Sequence, residues 1–164
     1  MSTLVLGLGN PLMGDDGFGL AALAALQEDW HFDPAPTFED GGTWGMNLLP
    51  AIEDADRLLL LDAVALGAPP GTPVMLERHE LPRFFSIKVS PHQVDLREVL
   101  ALAELRDTLP PDTIVLGVQP DRVELSTDLS DVVRRALPAV VEAAAHQLHA
   151  WGHTAQRVEA ACTS

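Results

Sequence analysis

"RLLLLD", residues 57–62, decides the fold. Four leucines in succession leave no polar face, so a strand built from them is buried on both sides. Such a strand belongs to a sheet covered by helices on two faces. It ends on Asp62, a carboxylate set at the end of an apolar run. Upstream, Leu4–Leu8 ("LVLGL") is a second short apolar run before Gly9, and reads as another buried strand. Asp16–Asp29 follows as a helix, with Leu20, Leu23, Ala24 and Leu26 on its apolar side and Asp15 as its N-cap. Thr37–Asp40 is a short strand closed by Gly41 and Gly42, and Trp44–Ile52 reads as helix.

Downstream, the link from Asp62 to a strand over Thr72–Arg78 is short and holds Pro69, Pro70 and Gly71. A parallel crossover needs about a dozen residues or more. That strand is therefore expected to run antiparallel to its predecessor, at a sheet edge. Ser90 as N-cap and Pro91 at the first helical position open a helix whose apolar residues are Val94, Val99, Leu102 and Leu105. Thr113–Gln119 is a further buried strand, and Ser130–Trp151 a long helix. Residues 152–164 read as a flexible tail. Alternating strands and helices predict one domain over residues 1–164, a three-layer α/β/α sandwich with a mostly parallel sheet and one antiparallel strand. In such sheets ligands bind beyond the carboxyl ends of the strands.

Composition narrows the partners. The chain has 164 residues and a net charge of −14, and Lys88 is its one lysine. A nucleic-acid binder needs clustered positive charge, which Arg134 and Arg135 alone do not supply, so neither nucleic acid nor an anionic membrane is an expected partner. No apolar run approaches the ~20 residues needed to span a bilayer. The N-terminus lacks the basic start and long apolar stretch of a signal peptide. With a single cysteine, Cys162, the chain cannot form an internal disulfide; together these features point to the cytoplasm.

"GLGNPLMGDDGFG", residues 7–19, is glycine-rich as phosphate loops are, yet carries Asp15 and Asp16 at its centre. The dinucleotide fingerprint fails at Leu12, and a Walker loop fails at Asp15, where lysine should stand. Two carboxylates at a helix N-terminus suit a cation better than a phosphate. Asp62 stands on the same predicted edge. So does Asp40, whose pairing with Gly41 also suits a turn. His92 falls in the first turn of the helix opened by Ser90, where the dipole favours neutral, metal-binding imidazole. Asp16, Asp62 and His92 make a three-ligand set of oxygen and nitrogen, the plan of a metal site with open positions. It suits Zn²⁺, Ni²⁺ or Mn²⁺. His146, His149 and His153 also have helical metal-binding spacing, but histidines near a helix C-terminus are explained by the dipole.

"LVLGLGNPLMGDDGFG", "DGGTWGMNLLP", "ADRLLLLDAV", "PGTPVML" and "KVSPHQVDLREVL", in that order from Leu4 to Trp151, resemble the hydrogenase maturation endopeptidases. The resemblance implies an α/β/α sandwich with a twisted five-stranded sheet, and a monomer. It implies removal of a short C-terminal extension from the precursor of a [NiFe] hydrogenase large subunit, after nickel insertion. The family's metal-contacting acids match Asp16 and Asp62, its histidine matches His92, and Asp40 matches a further family acid. On this reading the nickel arrives with the substrate, no organic cofactor is bound tightly, and Asp16 or Asp40 serves as general base. Two rivals remain from the residues themselves: a metallopeptidase with its own Zn²⁺, and a non-catalytic docking or chaperone protein for the nickel site.

Overall fold

A computed structural model of the chain describes residues 1–87 and 96–159, with the backbone alone for residues 43–45. Its strands are β1 Thr3–Gly7, β2 Trp30–Asp33, β3 Thr37–Asp40, β4 Arg57–Ala63, β5 Pro73–Leu76, β6 Asp112–Val118 and β7 Thr154–Arg157. Its α-helices are α1 Phe18–Asp29, α2 Gly41–Trp44, α3 Leu49–Asp54, α4 Leu81–Phe85, α5 Leu96–Leu105 and α6 Asp131–Ala150. Five strands form the main sheet in the order β3-β1-β4-β6-β5.

The leucine run behaves as its composition demands. On β4, Leu58 and Leu60 face one core with Leu6, Ile52, Phe84, Val99 and Leu100, while Leu59 and Leu61 face another with Val5, Phe18, Leu26, Val141 and Leu148. All four leucines are fully buried, each contributing roughly 1.5–3 kcal/mol of transfer free energy. The two cores are the two faces of one sheet, covered by α3, α4 and α5 on one side and by α1 and α6 on the other. No described helix is long and apolar enough to cross a membrane.

Pairing follows the expected plan. β1 is parallel to β3 and to β4, and β4 is parallel to β6. β5 is the antiparallel member, on the sheet edge, with Pro73 opposite Val118 and Leu76 opposite Val115. The Pro-rich link after β4 is too short to carry the chain back for a parallel strand.

Several expectations are corrected. The helix expected over Trp44–Ile52 is instead α2, a 3-10 turn at Gly45–Leu48, and α3, which has a proline in its first turn. Pro50 offers no N–H to a helix running through it, so the chain restarts there. On α5, Leu105 is 84% exposed; the buried stripe is Leu96, Val99, Leu100 and Ala103. The predicted cap, Ser90-Pro91, lies outside the described residues.

The expected tail also begins too early. Gly152, at φ 97°, turns the chain after α6, and the imidazole of His153 is buried between the Thr3 hydroxyl at 2.8 Å and the Pro34 carbonyl at 2.6 Å. β7 then pairs antiparallel with β2, Trp30 opposite Arg157. Trp30 and Phe32 alternate with polar residues over only four positions in β2, β7 holds a single apolar residue, Ala155, and the two strands lie most of the chain apart, so sequence periodicity does not reveal their pairing. Residues 160–164 lie outside the described residues.

Candidate active site

The site is built where the parallel strands end. Gly7, at the end of β1, stands opposite Asp40 of β3 and Leu61 of β4. Asp40 and Asp62 therefore flank the end of β1, their backbones about two strand spacings, roughly 10 Å, apart.

The glycine loop threads between these acids. Gly9 has φ 106°, and a methyl group there would lie 1.9 Å from the carbonyl oxygen of Asp16 and 3.6 Å from its carboxyl carbon. The Asp16 carboxylate accepts the Asn10 N–H at 2.9 Å, which draws it over the loop's start. From the other side, a methyl on Gly42 would lie 2.4 Å from the Gly9 carbonyl oxygen and 3.3 Å from Oδ1 of Asp40. Gly9 is thus the thin wall between the Asp16 and Asp40 segments. Alanine at Gly9 is expected to cost about 1–3 kcal/mol from backbone strain alone. It should also displace Asp16, lowering the urea midpoint and the hydrolytic rate together.

Asp40 anchors itself: its Oδ1 accepts the Gly42 N–H at 2.8 Å, an Asx turn within the Asp-Gly-Gly segment. Asp62 is held differently. Its side chain leaves the sheet on the same face as Leu58 and Leu60, towards α5. Only 1% of it is exposed, and Arg97 of α5 grips it with both Nε (3.2 Å) and Nη2 (2.6 Å) on Oδ2. Oδ1 accepts the N–H of Ala63. The guanidinium also lies over the Phe84 ring, 5.1 Å from its centre. Phe84 is itself fully buried in the core.

Asp15 proves to be something other than a cap for α1, whose N-cap is Gly17. It is fully buried and accepts four hydrogen bonds, from the N–H groups of Asp121, Arg122 and Ser130 and from the Ser130 hydroxyl, at 2.7–2.9 Å. Burial pushes its pKa up, and the donors from Arg122, Ser130 and Asp121 outweigh that, holding it below the ordinary carboxylate value. This one side chain fastens the glycine loop to the segment entering α6. The Met13–Ser126 bridge adds to the same junction.

The third predicted ligand, His92, lies outside the described residues. Among the described residues, the one group of three acids and histidines with ligand atoms mutually within 4.8 Å is Glu77, His79 and Glu80. It follows β5, which runs opposite to its neighbours, and so lies at the far edge of the sheet. Its two glutamates form a capping box for the turn Arg78–Glu80, which accounts for them. The histidines of α6 do not converge, since His146 and His149 are exposed and His153 is buried under the sheet.

Sequence reasoning missed Arg97 and the true work of Asp15. Arg97 left one signal: it follows buried Leu96 and stands three residues before buried Leu100, a charge within the apolar stripe of its helix. Asp15 left none, because its donors are more than 100 residues away.

Residues 21–147 match the family model described as hydrogenase maturation protease. The hydrogenase expression/formation protein HupD of Thiocapsa roseopersicina is 39% identical over 158 residues, 95% of this chain and 72% of that protein. The hydrogenase 2 maturation protease of Escherichia coli is 34% identical over 143 residues, 87% of each. The solved structure of the hydrogenase maturating endopeptidase HybD from E. coli superposes with a TM-score of 0.86 at 32% identity, covering 96% of this chain and 98% of that one.

Proposed function

The chain belongs to the hydrogenase maturation protease family, which hydrolyses peptide bonds, and we propose that it removes the C-terminal extension of a [NiFe] hydrogenase large-subunit precursor once nickel has been inserted. The observation that carries this reading is the acidic edge: Asp16, Asp40 and Asp62 on three segments around the end of β1, in a chain with the sandwich of that family.

Nickel belongs to the substrate in this account. The precursor presents it on cysteine thiolates, and Asp16, Asp62 and His92 complete its coordination from the enzyme side. Carboxylate oxygens and one imidazole bind free Ni²⁺ weakly beside a thiolate site, so the enzyme tests for loading without extracting the metal. The ion then positions the scissile bond. Asp40 is the general base: the Asx turn fixes one of its oxygens, and the other accepts no hydrogen bond from a described residue. A water oxygen attacks the scissile carbonyl carbon and gives its proton to Asp40. The C–N bond then breaks as that proton passes to the leaving nitrogen. On the same proposal the enzyme works as a monomer in the cytoplasm, without nucleic acid, membrane or organic cofactor.

The test is the intact mass of the precursor after incubation with the purified protein. Nickel-loaded precursor is expected to lose its C-terminal extension, and nickel-free precursor to keep it. Asp40→Asn should slow the loss by about 100-fold or more. A stable complex with no change in mass would instead make the protein a docking or chaperone factor. Equal cleavage of both precursors would end the nickel-gating account.

A further inference from the structure

We propose that Arg97 is a placeholder for the metal: it occupies the Asp62 carboxylate when no client is bound and so keeps free divalent cations out of the site. The inference rests on the nickel reading above. Its observation is the buried pair itself, with Asp62 1% and Arg97 7% exposed.

An ionised carboxylate as buried as Asp62 carries a large desolvation cost unless it is paired. Arg97 supplies the pairing with two N–H groups on Oδ2. Its Nη2 is also held by the Ala63 carbonyl at 3.3 Å, and its plane rests on Phe84. Among the described residues, Asp62, the Ala63 carbonyl and Phe84 all hold the guanidinium where it is, so Asp62 does not wait as an empty ligand. Oδ1 is engaged by the Ala63 N–H. A metal ion that takes Oδ2 has to displace the guanidinium contact and then sit beside a fixed positive charge in a poorly solvated place.

A hydrogen-bond partner behind a ligand ordinarily raises metal affinity by orienting that ligand. A cation on the coordinating oxygen does the opposite, by competition and by repulsion. Free aqueous Ni²⁺ must meet that cost from its bonds to the enzyme alone. Nickel anchored in a docked client meets it at a high effective concentration, because the rest of the client's surface has already bound. The Asp62–Arg97 pair therefore gives the site a preference for nickel presented by protein over nickel in solution, which a set of bare ligands lacks.

The experiment is titration calorimetry of the full chain with NiCl₂, comparing wild type with Arg97→Gln and Arg97→Lys, each checked for its folded circular dichroism spectrum. Arg97→Gln should bind Ni²⁺ about tenfold or more tightly than wild type, the scale on which changes to residues holding a ligand move metal affinity. The gain should vanish in the Arg97→Gln/Asp62→Asn double variant. Arg97→Lys keeps the charge but loses the fork, and should bind about threefold more tightly, which decides the matter if the glutamine variant does not fold. Unchanged or weaker Ni²⁺ binding in a folded variant would overturn the proposal. Failure of the underlying reading looks different: Asp62→Asn would then bind nickel-loaded precursor as wild type does. If Asp62→Asn loses that binding while Arg97→Gln leaves Ni²⁺ affinity unchanged, the placeholder alone is wrong.

Discussion

Asp62→Asn is expected to lower the processing rate of nickel-loaded precursor by about 100-fold or more, because on the proposed nickel reading it removes a charged ligand while keeping its shape. The same change removes the charged acceptor of two Arg97 N–H groups in a buried place, which should cost about 3–5 kcal/mol of stability. Activity and stability would then fall together, and the loss of rate alone would prove little. Adding Arg97→Gln separates them. With the cation gone, the double variant should recover most of the lost stability, since replacing both members of a buried pair is often near neutral. It should not recover activity. Urea denaturation and the mass of the processed precursor read the two effects. Recovery of both would reduce Asp62 to a structural residue.

Asp15→Ala should be the most destabilising single change in the glycine loop. Its carboxylate satisfies four donors on the segment from Asp121 to Ser130, and each buried donor left unsatisfied costs about 1–3 kcal/mol. A loss of at least about 3 kcal/mol is expected in urea denaturation, with part of the full sum recovered by water. The pH dependence has a definite sign. The pKa of Asp15 is depressed in the folded protein. Its stabilising contribution is therefore complete above the unfolded carboxylate value near 3.8. It is lost as pH falls through the lower folded value. The wild type should lose stability over that acid range, and the alanine variant should lack that part of the loss. A variant with unaltered stability would remove Asp15 from its structural role.

Adjacent aspartates thus divide the labour of one loop. Asp15 turns inward and fastens it, while Asp16 stays half-buried over Gly9 at the strand ends. The sequence shows the two as equals, because what separates them is the position of residues 121–130, which no local pattern reveals. The sheet was legible for the opposite reason. "RLLLLD" and "LVLGL" are apolar on both faces, and the short Pro-rich link after Asp62 allows only the antiparallel course of β5. β2 and β7 escaped because each is only four residues long, so the alternation of Trp30 and Phe32 is too brief to stand out and β7 has Ala155 as its single apolar residue. Of the acids named from sequence, Asp40 and Asp62 flank β1 as strand-end logic required. The grip of Arg97 on Asp62 needed coordinates, because a helix residue's partner on a buried strand depends on how the layers register.

The central claim is that the enzyme's acids reach a nickel ion carried by its client. Nickel K-edge absorption on the loaded precursor, alone and bound to the Asp40→Asn variant, tests it most directly. Binding should add oxygen or nitrogen scatterers to the sulfur shell around nickel, and the further change Asp62→Asn should remove part of that addition. A nickel spectrum identical before and after a demonstrated complex forms would contradict the account.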